Sequence, residues 1–320
     1  MRSIKRVCIA GAGSIGSLYA GFLAEIADVT VLTRREEHAE ILNKEGLNGS
    51  GKANRHASLR ASTDPSELGE VDLVIIATKT THVETCLKQL YGHFPGAMVM
   101  LVQNGIGCEA MVPDYGDWPI ISAVTFMAGT RLSDDHVSYE LDTETWNGPW
   151  AQGTATGQDV QAVTGILNRA GLKAQAFNDL LPAQWSKLIF NSSINSISAA
   201  TDLPFCAQYI QRHNLYDLGH LVYVMIEEGK AVARACNIHL HQDPWQMVLE
   251  AVQNIGASEK KARVPSMLAD VRAGQQTEID WITGAVVREA EKKCIPVPLH
   301  ETLYRIIKGR EMNWDKNSSA

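Results

Sequence analysis

Six residues near the start of the chain constrain it most: Gly11-Ala12-Gly13-Ser14-Ile15-Gly16, set between the apolar run Arg6 to Ala10 and the helix-patterned Ser17 to Leu23. A G-x-G-x-x-G turn that follows a strand and opens a helix is the fingerprint of a dinucleotide-binding βαβ unit. Gly11 permits the tight turn, Gly13 lets the backbone approach a pyrophosphate, and Gly16 allows close packing of helix on strand. Ser14 and Ile15 complete the cofactor-binding turn, with the helix N-terminus facing the anion.

The pattern continues as this motif requires. β-Branched runs at Arg6 to Ala10, Val29 to Leu32, Val71 to Ala77, Ala97 to Val102 and Ile120 to Phe126 are separated by helix-like stretches or loops, which predicts a mainly parallel sheet. Gly129 to Gly153 is polar and reads as a hairpin or irregular extension. Gln158 to Ala170 reads as a helix and Lys173 to Phe177 as one more strand. From Leu181 onward helical patterns take over, with Pro182 opening a helix through Trp185, Leu188 and Ile189 and a second running over Tyr216 to Ala235. Further helices are expected from about Gln275 to Lys293 and, after the break at Cys294-Ile295-Pro296-Val297-Pro298, over Leu299 to Arg310. Lys316 to Ala320 is polar enough to fray. The expected fold class is α/β: an N-terminal Rossmann dinucleotide-binding domain over residues 1–178, then an all-α C-terminal domain over 179–320.

Composition narrows the partners. Against 36 acidic residues stand 29 Lys and Arg, a net charge of −7, so no basic surplus offsets a phosphate backbone and nucleic acid is not an expected partner. The longest apolar runs, such as Leu73 to Ala77 and Met98 to Val102, fall short of the ~20 residues that cross a bilayer. The apolar stretch after the basic start is too short for a secretory signal, so the expectation is a cytoplasmic protein without a membrane partner. Six scattered cysteines without a C-x-x-C pair are expected to be reduced thiols. His239 and His241 lack a third ligand nearby, so no metal is expected. A homodimer is neither required nor excluded.

The second strand ends Val31-Leu32-Thr33-Arg34-Arg35, where an NAD site would place a carboxylate for the ribose hydroxyls. Arg34 or Arg35 can instead pair with a 2′-phosphate, which points to NADPH. The third and fourth strands end in Thr78-Lys79-Thr80 and Gln103-Asn104-Gly105-Ile106-Gly107, at the edge where open α/β sheets meet ligands. Lys79 suits a cofactor phosphate or a substrate and Asn104 an amide or carboxylate group, although either can serve as a helix cap. In the helical half, Lys187, Asn191 and Asn195 stand four apart and share one stripe of a helix amid apolar neighbours. A cation and two amides in a row can donate to a carbonyl and hold a carboxylate.

On these residues, with Pro265-Ser266-Met267-Leu268-Ala269-Asp270-Val271-Arg272 and Thr277-Glu278-Ile279-Asp280, the chain resembles the ketopantoate reductases over nearly its whole length. The resemblance implies a Rossmann domain and a helical domain with NADPH and a small 2-oxo acid in the cleft between them. It implies Lys187 as general acid, Glu278 as partner of the substrate's distal hydroxyl, Asn191, Asn195 and Ser266 as substrate-holding groups, and Lys79 and Asn104 facing cofactor and reacting centre. One departure stands out: many members carry an Asn about ten residues after the second Asn of the stripe, where this chain has Asp202-Leu203-Pro204-Phe205. The β-hydroxyacid dehydrogenases also place a Lys four residues before an Asn, but behind a Gly/Ser-rich loop that Ala176 to Pro182 does not provide. A non-catalytic nucleotide sensor on the same fold is expected to lose Lys187 and Glu278.

Overall fold

The computed structural model describes residues 2–256 and 262–317. The chain divides into two compact units, Met1–Gln103 with Cys108–Leu180 and Asn104–Gly107 with Leu181–Ala320. The chain thus leaves the first unit after Gln103, lends four residues to the second, and returns.

The first unit runs β1 (Arg6–Ala10), α1 (Ser14–Leu23), β2 (Asp28–Leu32), α2 (Glu36–Glu45), β3 (Leu47–Gly51), β4 (Arg55–Ala57), β5 (Arg60–Ser62), β6 (Leu73–Ile76), α3 (Val83–Leu90), β7 (Met98–Leu101), β8 (Ile120–Thr125), β9 (Ala128–Ser133), β10 (His136–Leu141), β11 (Thr145–Pro149), α4 (Gly157–Arg169) and β12 (Ala174–Ala176). Eight strands form one sheet in the order β12-β11-β8-β7-β6-β1-β2-β5, all neighbours parallel except β8 and β11. Every residue of β6 and β7 is buried, as strands covered on both faces must be, and this is why they read as unbroken apolar runs. Ala10 is in register with Leu32 on one side and Ile76 on the other. The ends of β2 and β6 therefore flank the turn that begins at Gly11.

The polar stretch after Gly129 resolves into the β9–β10 hairpin of a second sheet, ordered β4-β3-β10-β9, while β11 joins the main sheet. The second sheet packs on α1. Its strand β3, Leu47-Asn48-Gly49-Ser50-Gly51, pairs in parallel with the distant β10. Glycine and asparagine are depleted from strands, so only the pairing makes this segment one.

The second unit is α-helical: α5 (Leu181–Thr201), α6 (Leu218–Ala235), α7 (Pro244–Gly256), α8 (Ser266–Arg272), α9 (Thr283–Lys292) and α10 (Pro298–Asn317). Helix α5 is its axis, buried along most of its length and packed against all five others. The serines of α5 are compatible with this burial because they bond to carbonyls of their own helix, as Ser186 does to Pro182 (2.9 Å) and Ser192 to Ile189 (3.0 Å). Ser192 Oγ also meets His300 Nε2 at 3.1 Å, and His300 Nδ1 meets Glu228 Oε2 at 2.8 Å, so a buried chain of polar groups ties α5 to α10 and α6.

Two expected helix bounds are corrected by the structure. The helix expected from Gln275 begins only at Thr283: Gly274, at φ +61°, ends α8, and Thr277 gives both its N–H (2.9 Å) and its hydroxyl (2.7 Å) to the Glu311 carboxylate. These bonds hold Glu278 in a turn. Helices α7 and α8 precede it, in a stretch expected to be helical but given no bounds from the sequence. The last helix runs to Asn317, past the Lys316 from which fraying is expected; residues 318–320 lie outside the described residues.

Candidate active site

In the first unit the site is made of backbone. A side chain on Gly16 would put its Cβ 1.9 Å from the carbonyl oxygen of Gly11, so the turn closes only with hydrogen there. At Gly13, by contrast, a Cβ would meet nothing within 4 Å. This open space lies beside the start of α1, which has neither a side-chain cap nor an acidic residue in its first turn. Its first N–H groups suit an anion, and the cradle fits the pyrophosphate of a dinucleotide. Ser14 Oγ accepts a bond from the Arg131 N–H (3.2 Å), fixing the turn to β9.

The two arginines after β2 part company. Arg35 Nη2 lies 2.6 and 2.7 Å from the two carboxylate oxygens of Asp134, which also pairs with Arg131 at 3.2 Å. Arg34 is exposed two residues beyond β2, and Lys79 is half-buried three residues beyond β6, just ahead of a 3-10 turn at Thr80–His82. Gln103 Nε2 donates to the carbonyls of Ile76 (2.8 Å) and Thr78 (2.9 Å), binding together the ends of β6 and β7. Sequence reading assigned Gln103 no role, and nothing in its spacing signals this one.

In the second unit the site is made of side chains. Lys187, on α5, is 9% exposed and donates through Nζ to Asn104 Oδ1 at 2.8 Å. Asn104 Nδ2 in turn reaches Glu278 Oε2 at 3.4 Å. Residues 104, 187 and 278, far apart in sequence, thus form one polar chain. Burial pushes the Lys187 ammonium down to about 8; the charge of Glu278 opposes that shift and the charge of Arg263 adds to it. A buried amine with this value can give up its proton near neutrality, as an ordinary exposed lysine cannot.

Asn191 and Asn195 are buried on the same stripe of α5, within roughly 80° of Lys187 around the helix axis. Ser266 stands exposed at the first position of α8. In the departing segment, Asp202 is taken up by Arg272, which bonds its carboxylate at 2.7 Å and its carbonyl at 3.0 Å. Phe205, ten residues after Asn195, is buried edge-on against Phe190 and Tyr209. Arg263 was also missed: its backbone exchanges hydrogen bonds of 2.8 and 2.9 Å with Phe205, a pairing invisible in sequence.

A Rossmann-type sheet with an open glycine turn, followed by a helical unit with a buried lysine of lowered pKa, defines an NAD(P)-dependent oxidoreductase. The sequence matches the family Ketopantoate reductase PanE/ApbA over residues 7–152 and its partner domain, Ketopantoate reductase PanE/ApbA C terminal, over residues 179–311. The chain belongs to the ketopantoate reductase family. It is 28% identical to a 2-dehydropantoate 2-reductase of Pyrococcus horikoshii over 96% of this chain and 97% of that one. Among solved structures it is similar to a PanE/ApbA family ketopantoate reductase from Ralstonia eutropha JMP134 (TM-score 0.83, 26% identity, 97% of this chain and 99% of that one). It shares its fold with D-mandelate dehydrogenase, solved with NADH and anilino(oxo)acetate (TM-score 0.83, 21% identity, 97% and 99% covered).

Proposed function

We propose that the protein reduces 2-dehydropantoate (ketopantoate) to pantoate with NADPH, residues 1–178 binding the cofactor and 179–320 the substrate. The observation that carries this reading is the chain Lys187–Asn104–Glu278, a buried proton donor oriented by an amide that a carboxylate holds in turn. Bound NADPH would supply the hydride for the carbonyl carbon. Lys187 then meets the oxygen on which negative charge develops, stabilises it and gives up the Nζ proton, while Asn104 fixes the direction of that proton. Asn191 and Asn195, with Ser266, hold the acid. Glu278 accepts a bond from the substrate's distal hydroxyl, a donor that offsets the repulsion between two carboxylates. NADPH, rather than NADH, is supported by Arg34 and by the absence of an acid at the end of β2.

A second reading, another 2-oxo acid, is favoured by the segment Asp202 to Phe205, which stands where the resemblance leads one to expect an Asn and which buries the ring of Phe205 instead. One assay separates the two: ketopantoate, its analogue without the hydroxyl and a panel of simple and aromatic 2-oxo acids, each with NADPH and NADH, followed by absorbance decay. The first reading predicts ketopantoate to exceed the deoxy analogue in kcat/KM, by up to about 10⁴ if Glu278 is left unpaired by the analogue. Equal efficiency on the two would overturn the substrate assignment, and reduction of none of the acids would overturn the function.

A further inference from the structure

The first unit collects cations at the mouth of its nucleotide fold. Strands β2 and β6 lie on either side of β1, in register at their ends, so the residues just beyond them border the glycine turn. Beyond β2 stands Arg34, and beyond β6 stands Lys79. The next residue of interest is His82. Its N–H donates to the Lys79 carbonyl at 2.8 Å, closing a 3-10 turn over Thr80–His82. The turn folds the His82 backbone back beside Lys79, at the same strand end.

Charge supports the same grouping. Partial burial first, then the charges of Arg34 and Lys79, hold the His82 imidazole below its ordinary range. The two cations that act on it thus come from two different strand ends. The nearest acid in sequence, Glu84, is engaged by Lys88 at 2.8 Å and by the Tyr115 hydroxyl at 3.2 Å. Arg35 is taken by Asp134, which leaves Arg34 as the arginine of the cluster.

We propose that His82 is a third, proton-linked ligand of the 2′-phosphate at a site formed with Arg34 and Lys79, so that preference for NADPH over NADH strengthens as pH falls. This rests on the NADPH reading above. A 2′-phosphate carries close to two negative charges near neutrality. Brought against His82, it reverses the balance of charge around the ring and draws a proton onto it, adding a charge-assisted hydrogen bond. NADH brings no such charge. Binding of NADPH should therefore take up protons, and binding of NADH should not.

The test is equilibrium binding, without substrate, of NADPH and NADH to the parent protein and to His82→Gln at pH near 6 and near 8. Titration of the phosphate itself is common to both proteins and cancels in their ratio. The expected result is that the parent holds NADPH about tenfold tighter than His82→Gln at the lower pH and within about twofold at the higher, with NADH alike for both proteins throughout. Calorimetry of both proteins in two buffers of different ionisation enthalpy should show more proton uptake on NADPH binding by the parent than by His82→Gln, the phosphate's own proton being common to the two. A parent-to-variant ratio for NADPH that is the same at both pH values, or equal proton uptake by parent and variant on binding NADPH, would overturn the role of His82 while leaving NADPH preference standing. A parent that binds NADPH no better than NADH at either pH would overturn the cofactor reading and this proposal with it.

Discussion

The candidate site of the first unit is built of backbone, through Gly11, Gly13, Gly16 and the aligned ends of β1, β2 and β6. That of the second is built of side chains, through Asn104, Lys187 and Glu278, which only packing brings together. A backbone site is tolerant of most nearby side chains but intolerant of any Cβ at a few positions; a side-chain site tolerates changes of backbone far better than the loss of one functional group. The two units should consequently fail in different ways.

The largest difference is expected at Lys187. Lys187→Ala should lower kcat by roughly 10²–10⁴, the range for a positioned acid, while the dissociation constant for NADPH, measured by fluorescence titration, stays near the parent value. Near-parent turnover would show that the second unit's chemistry lies elsewhere.

The glycine turn offers the reverse pattern. Gly16→Ala, whose Cβ has nowhere to go, should destabilise the fold by roughly 1–3 kcal/mol and lose NADPH binding together. Gly13→Ala has open space and should leave the thermal midpoint unchanged, yet weaken NADPH by about tenfold or more, because the added carbon stands where the pyrophosphate comes. Equal effects of the two substitutions on the thermal midpoint would erase the distinction between a turn that must close and a cradle that must stay open.

The contrast also explains what could be read from sequence. Backbone requirements leave local signatures: the spacing of Gly11, Gly13 and Gly16, and the apolar runs of β6 and β7, stand in consecutive residues. Lys187, Asn191 and Asn195 could be grouped because one helix period joins them. The bond from Lys187 to Asn104 has no such period, and only resemblance to a family singled out Glu278. The turn that carries Glu278 reads as helix by composition, since the Glu311 carboxylate that holds Thr277 lies on another helix. Strand β3 is illegible for a similar reason: its glycines take strand form only through pairing with β4 and the distant β10. Arg34 and Arg35 are adjacent and alike in sequence, and it is Asp134, on the β9–β10 turn, that distinguishes them.

A smaller effect probes how the second unit holds α5. Burial alone would raise the Glu228 carboxyl, but bonds from the His300 ring and from the N–H groups of Leu299 and His300 outweigh it and leave its pKa below the ordinary range. The tie to Ser192 should be worth roughly 1–3 kcal/mol, measured as the loss in unfolding free energy of Glu228→Gln. With a folded pKa below the unfolded one, the charge-dependent part of this stability is complete above the unfolded value and disappears as pH falls through the folded one. The gap between parent and variant should therefore narrow in acid; a gap that does not change with pH would mean that the carboxylate's charge contributes nothing.

The pH profile of the reduction tests the central claim most directly. If Lys187 is the acid, kcat/KM falls as pH rises through about 8, because the protonated amine is the active form. Glu278→Gln removes a negative charge that favours the ammonium and should move this limb to lower pH; Arg263→Gln removes a positive charge and should move it to higher pH. A limb near the ordinary lysine value of about 10.4, or one that neither substitution moves, would contradict the account.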